Sequence, residues 1–213
     1  MSLFIKLYDL GIRVLVALIG LHAIVNHKSR SWIQGRKEDQ RTLRKWVRPP
    51  GGLFWFHCSS LGEFEQALPL MQEIRNQRKE VSIAVSFFSP SGYKHRYDHP
   101  IADLVFYLPS DTRKNASAIV SKLRPDVVVV AKYDLWFHHL SEAKNFGAKL
   151  ILLAARFTDD QYFFKWYGKF GRRLLSLFNT ILVQEKGSYD LLSSIGIESE
   201  ICGDTRYDRV MAH

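Results

Sequence analysis

The chain's 213 residues are 46% hydrophobic and 13% aromatic, enough to fill a core, which excludes disorder throughout and suggests one domain, alone or with an appendage. Its formal charge of +9 points to nucleic acid, a membrane surface or an anionic substrate, but the charge is uneven. Residues 1–50 hold ten Lys/Arg against three Asp/Glu, a net of +7, and residues 51–213 carry only +2.

In chain order, the first stretch, LFIKLYDLGIRVLVALIGLHAIV, is strongly apolar, yet Lys6, Asp9 and Arg13 break it and leave only Val14 to Val25 uncharged. A spanning helix needs about 20 apolar residues, and no small-residue cleavage site follows, so neither a membrane span nor a cleaved signal peptide is expected. Next come Lys28, Arg30, Arg36, Lys37, Arg41, Arg44, Lys45 and Arg48, with Trp32 and Trp46 interleaved. An apolar segment, aromatics at headgroup level and cations against anionic lipid make a membrane-surface anchor, its basic side cytoplasmic. The competing reading is a solvated charged helix covering the domain. Nucleic acid is disfavoured, because the cations cling to an apolar segment and no base-reading motif follows.

After the turn-rich RPPGG, short apolar runs alternate with longer amphipathic ones. Strands are expected at 53–58, 81–87, 103–108, 126–131, 149–155, 180–184 and 199–202. Helices are expected at about 112–124, 136–146, 162–178 and 186–195. Ala67, Leu70, Met71 and Ile74 mark a further helical face, with Pro69 either kinking it or setting its start near Ala67. VVVV and ILLAA do not alternate, so these strands should be covered on both faces, giving a Rossmann-like, doubly wound parallel α/β sheet.

Function in such a sheet gathers at the loops leaving the carboxyl ends of the strands. The first of these, HCSSLGEFEQ, has only Gly62 where a dinucleotide site would show G-x-G-x-x-G, and no phosphate-loop lysine motif occurs, which disfavours NAD or ATP as a cofactor. Glu63 is either a helix-start carboxylate favoured by exposed amides or a general base for a hydroxyl held at the sheet edge. Glu65 is its rival. Ser89, Ser91 and Gly92 cap the next helix or offer donors to an anion. Adjacent His138 and His139 lie about 100° apart on a helix, a poor geometry for a shared metal. Cys58 and Cys202 lack metal-ligand or redox spacing, which fits a reducing compartment. His57 and Cys58, as strand neighbours, point to opposite faces and form no catalytic pair.

Taken in order, SSLGEFEQALPL, SFFSPSG, YLPSD, RPDVVVV, KYDLWF, ARFT and GDTRYD resemble the motif series of the N-terminal half of bacterial 3-deoxy-D-manno-octulosonic acid (Kdo) transferases. The resemblance runs from about Trp32 to Asp208. It departs from the family's E-T-E-L-W-P at Lys132, Asp134 and Phe137. It implies an inverting glycosyltransferase of lipopolysaccharide biosynthesis, with two Rossmann domains (the GT-B type) and no required metal or cofactor. Such an enzyme sits on the cytoplasmic side of the inner membrane and moves Kdo from CMP-Kdo to a lipid A precursor. On that resemblance Glu63 is the catalytic base. Gly62, Ser89, Ser91, Gly92, Lys132, Asp134, Arg156 and Arg206 are candidate substrate-binding residues. The expected organisation is a membrane-associating arm over 1–48, an acceptor-binding domain over 49–206 and the start of a linker over 207–213, the second, CMP-binding domain being absent and the chain inactive without it. The alternative is a non-catalytic membrane-surface module that binds anionic lipid. A third reading is nucleotide binding at the sheet's own edge.

Overall fold

A computed structural model describes residues 2–132 and 134–204. Its frame is a seven-stranded, all-parallel sheet: β1 (Leu53–Cys58), β2 (Ser82–Phe87), β3 (Leu104–Tyr107), β4 (Val127–Ala131), β5 (Lys149–Ala155), β6 (Thr180–Val183) and β7 (Glu200–Ile201), in the order 3-2-1-4-5-6-7. This is the doubly wound Rossmann-like architecture expected from the apolar runs, whose strands need cover on both faces. The cover divides into two cores. Trp55, Phe106, Val128, Val130 and Leu152 belong to one, and Phe56, Phe64, Met71, Val85 and Val129 to the other. Alternation along each strand is what sends neighbours such as Trp55 and Phe56 to opposite faces.

The helices are α1 (Ser2–His22), α2 (His27–Lys45), α3 (Leu61–Gln77), α4 (Pro90–Arg96), α5 (Arg113–Leu123), α6 (Phe137–Phe146), α7 (Lys169–Leu175) and α8 (Lys186–Ser194). Helix α3 starts at Leu61 and continues through Pro69 without a break, rather than beginning near Ala67. Burial of Phe64, Ala67, Leu68 and Met71 outweighs the backbone hydrogen bond that the proline cannot donate. The single helix expected over 162–178 is divided: a 3-10 turn at Tyr162–Phe164, a tight reversal, then α7. At the reversal a side chain on Gly168 would sit 2.1 Å from the Tyr162 carbonyl oxygen, so only glycine permits that approach. Arg172 fastens the reversal by donating to the carbonyls of Phe163 (2.8 Å) and Lys165 (2.9 Å).

The two N-terminal helices behave differently from each other. Helix α2 is tied to the edge of the sheet. Buried Asp39 accepts hydrogen bonds from Tyr93 (2.6 Å) and from the Tyr107 amide, and Gly35 lets the helix lie against the Tyr107 ring. Arg36, read in the sequence among the lipid-facing cations, is a correction. It donates to the carbonyls of Leu108 (3.0 Å) and Phe88 (2.9 Å), with its guanidinium 3.5 Å from the centre of the Trp32 ring. Burial pulls its pKa down to about 9, against the opposing influence of Tyr107 and Asp39. Arg48 likewise pairs with Asp126 at 2.6 Å.

Helix α1 docks along one side only. The Tyr8 hydroxyl donates to buried Asp111 (2.5 Å), Asp9 meets His138 Nε2 (2.6 Å), and Ile12 is buried. Leu3, Leu7, Leu10, Val14, Leu18 and Leu21 remain exposed on the helix. Among the described residues no helix is long and apolar enough to cross a membrane.

Candidate functional site

In the strand order, β1 is flanked by β2 on one side and β4 on the other, so the direction of winding reverses between β1 and β4. Open α/β sheets take their ligands at that crevice, beyond the carboxyl ends of the strands. Here the β1 exit carries His57, Ser59 and Glu63, and the β4 exit carries Lys132 and Asp134.

Glu63 stands in the first turn of α3 and folds back so that its Oε2 accepts the hydrogen bond of the Ser59 amide. Half-buried, it has its pKa pushed up by desolvation. The Ser59 amide opposes that shift, nearby Asp134 adds to it, and His57 and Lys132 pull the other way. A carboxylate raised toward neutrality is a better proton acceptor than an ordinary one. Glu65, the rival, points to α4 and pairs with Arg96 at 2.5 Å. Gly62 is exposed, and a side chain built on it would meet nothing closer than 4.0 Å, so the ground beside Glu63 is open.

Beneath Glu63 lies a chain of polar groups that begins in the core. Trp55 Nε1 donates to Ser86 Oγ (2.8 Å), Ser86 Oγ lies 2.9 Å from His57 Nδ1, and His57 Nε2 lies 2.8 Å from Asp134 Oδ2. The indole N–H donates to the serine, the serine lies against Nδ1, and Nε2 faces the carboxylate. Asp134 Oδ2 also accepts from the Ser59 hydroxyl and from Trp136 Nε1 (3.0 Å). Burial would raise Asp134, but the His57 bond, followed by Ser59 and Trp136, holds its pKa below the ordinary value. Two carboxylates bridged by the Ser59 residue are thus driven in opposite directions, Asp134 toward a fixed charge and Glu63 toward proton exchange.

Lys132 leaves β4 in the left-handed region (φ 62°), rare for a residue with a side chain, and its amide bonds to the Leu153 carbonyl (2.8 Å). Ala154, at the irregularity of β5, is also left-handed (φ 52°). Unfavourable backbone at the exits of two adjacent strands is typical of functional sites. Ser89 caps α4 by accepting from the Ser91 amide (3.3 Å), and its own amide bonds to the Ser59 carbonyl (2.9 Å), bringing that turn alongside the β1 exit. Gly92 serves close packing: a side chain there would strike the Phe87 ring at 2.4 Å and the Ser60 backbone at 3.2 Å. Arg156 lies apart, on the β5 side, in an exposed pair with Glu185 at 2.9 Å. Arg206 and the expected linker over 207–213 fall outside the described residues. A crevice of about 360 Å3, lined by Tyr8, Asp134, Trp136 and Tyr162 among others, opens beside Asp134.

The sequence reading weighed His57 only as a partner for Cys58 and gave no site role to Ser59, Ser86 or Trp136. One signal was available. Trp55 and His57 are two apart on a strand and share a face, so a histidine closing that apolar face calls for a buried polar partner. The histidine pair resolves into unrelated tasks, His138 holding Asp9 and His139 meeting the Pro109 carbonyl at 3.0 Å.

The fold defines the class: a Rossmann-like, doubly wound α/β domain whose crevice carries the carboxylates. The same architecture occurs in UDP-GlcNAc 2-epimerase from Neisseria meningitidis, with a TM-score of 0.55 at 17% identity over 75% of this chain and 48% of that one. It occurs also in the UDP-GlcNAc 2-epimerase from Methanocaldococcus jannaschii, with a TM-score of 0.53 at 15% identity over 75% and 47%. These likenesses are of fold alone. Residues 30–209 match the family described as 3-deoxy-D-manno-octulosonic-acid transferase (kdotransferase), and the chain belongs to that family. A 3-deoxy-D-manno-octulosonic acid transferase of Chlamydia trachomatis serovar D is 29% identical over 74% of this chain and 37% of its own length. That of Chlamydophila psittaci is 24% identical over 91% and 46%, and that of Haemophilus influenzae 26% over 75% and 38%. The chain thus spans less than half the length of these relatives.

Proposed function

We propose that this chain is the acceptor-side half of an inverting glycosyltransferase that moves Kdo from CMP-Kdo to a hydroxyl of a lipid A precursor, as part of lipopolysaccharide synthesis. Glu63 is the general base. It takes the proton of the acceptor hydroxyl as that oxygen bonds to the anomeric carbon and the bond from that carbon to CMP breaks. The observation that carries this reading is the opposed pair at the switch point: Glu63 raised by burial on an open surface, Asp134 held ionised by three donors beneath it.

Lys132 and Asp134 border the place where the acceptor would lie, Gly62 leaves room for it, and Ser89 and Ser91 offer hydroxyls from the neighbouring turn. Gly92 acts through packing. Arg156 and Arg206 are assigned to anionic groups of donor or acceptor. A second Rossmann domain supplies most of the CMP site, so the half described here does not turn over alone. The exposed apolar side of α1 supports reading segment 1–48 as the part that would hold the crevice against lipid at the cytoplasmic face of the inner membrane.

In a two-domain protein containing this half, Glu63→Gln should lower transfer by about 10²–10⁴-fold and leave lipid binding nearly intact. Unchanged transfer removes Glu63 from the mechanism. The same measurement separates the second reading, a non-catalytic lipid-binding module, which the exposed face of α1 would equally serve.

A further inference from the structure

On the side of Trp32 away from Asp134, a groove of about 670 Å3 runs between α1, α2 and α5, within the roughly 300–1,000 Å3 typical of small-molecule sites. A row of rings separates it from the crevice: Trp32 edge-on to Phe88 (5.6 Å) and Phe88 stacked on Trp136 (4.9 Å), which bonds Asp134. Its lining is of two kinds. Val16 and Ala118 present exposed apolar surface, and Arg44, Lys114 and Lys122 present cations. Among the described residues none of these three cations takes part in an ion pair. Trp32 also lines the groove, and its Nε1 is buried with no acceptor among the described residues. A buried indole N–H without a partner is an unusual cost in a native fold and marks a place where an acceptor oxygen would be gained.

We propose that this groove binds an anionic phospholipid of the bilayer, its phosphate held by Arg44, Lys114 and Lys122 and its first methylenes laid along Val16 and Ala118. Charge complementarity selects an anion, and the apolar floor selects one that carries a chain. Continuity selects a bilayer lipid: Val16 belongs to the exposed apolar run of α1, so the floor of the groove continues into the surface assigned to the membrane. Trp32 Nε1–H would donate to a phosphate or ester oxygen. The inference rests on the reading of α1 as a lipid-facing helix and adds the headgroup that such a surface selects.

The test is flotation of the full chain with vesicles of phosphatidylcholine, alone or mixed with phosphatidylglycerol. Removing one juxtamembrane cation weakens binding by about fivefold, so Lys114→Gln with Lys122→Gln should lower partition into the mixed vesicles by roughly twentyfold. The same exchanges at Lys79 and Lys149, exposed at the amino-end side of the sheet, should change it less than twofold. In a Cys202→Ser background, a polarity-sensitive fluorophore on Ala118→Cys should shift to the blue with mixed vesicles, and one on Ser194→Cys, exposed on α8, should not.

Equal loss from the two lysine pairs, equal binding to phosphatidylcholine alone, a silent Ala118 label, or displacement by excess inorganic phosphate would each overturn the proposal. The last outcome would mark a site for the free ion. Transfer by the two-domain protein to a short-chain acceptor in solution should be untouched by the lysine pair, so failure of the Glu63 mechanism and failure of the groove show up in different assays. Deleting residues 2–22 removes Val16 from the groove's apolar floor: unchanged flotation would take away the continuity with α1 and overturn the assignment to a bilayer lipid.

Discussion

The crevice between β1 and β4 and the outer face of α1 are opposite solutions to the placement of side chains at a surface. In the crevice, Trp55, Ser86, His57, Ser59, Trp136 and Asp134 form a network in which every donor meets an acceptor inside the chain. Such a network fixes one geometry, because a missing partner leaves a buried group uncompensated. On α1 the side chains of Leu3, Leu7, Leu10, Val14, Leu18 and Leu21 are exposed, while Tyr8, Asp9 and Ile12 tie the helix to the domain. The first region is complete in itself and prepared for chemistry. The second is incomplete by itself and suited to another apolar phase.

That contrast breaks first at Asp134. Asp134→Ala leaves His57 Nε2, the Ser59 hydroxyl and Trp136 Nε1 without their acceptor and should cost about 3 kcal/mol in urea denaturation. Its pKa is depressed in the fold, so its contribution is present above the unfolded value of about 3.9 and lost as pH falls through the lower native value. The gap between wild type and Asp134→Asn should therefore close in strong acid. A pH-independent gap would mean that shape, and not charge, is what Asp134 supplies.

Tyr8→Phe should cost less, about 1 kcal/mol, by removing the bond to Asp111. Its clearer sign would be faster proteolysis near residues 23–26, between α1 and α2. Burial pushes the pKa of Tyr8 upward, followed by the charge of Asp111, so the phenol stays protonated and the bond should survive mildly alkaline pH.

Glu63→Gln should have the reverse sign. Glu63 is raised in the fold, so its ionisation opposes folding, a penalty absent below the unfolded carboxylate value and complete above the native one. At neutral pH the variant should be more stable than the wild type in urea denaturation, with the difference vanishing in acid. A destabilised variant would show that the Ser59 amide bond matters more than desolvation. The smallest change in stability is expected on α1: Leu7→Ser and Leu18→Ser, both more than half exposed, should stay within about 0.5 kcal/mol and yet weaken vesicle binding.

Much of the frame was legible along the chain. LFWFHC, VVVVA and KLILLAA are runs in which the period itself reports burial on both faces, and the observed strands lie within a residue of those expectations. The stretch 162–178 was not legible as two elements, because its division depends on Gly168 approaching the Tyr162 carbonyl, a contact that helical periodicity does not register. Arg36 was misplaced for a related reason. A guanidinium in a basic helix looks solvated until carbonyls from two distant loops, at Phe88 and Leu108, are brought to it.

By itself the sequence determined the parallel α/β sheet, the position of Glu63 at the exit of its first strand and the apolar character of the arm, since each depends on residues close together in the chain. Only the tertiary structure decided what surrounds Glu63. His57 and Asp134 are 77 positions apart, and Trp55 and Ser86 are 31 apart. Burial, hydrogen bonding and the resulting opposed shifts of two carboxylates are properties of neighbours in space, and no local pattern specifies them.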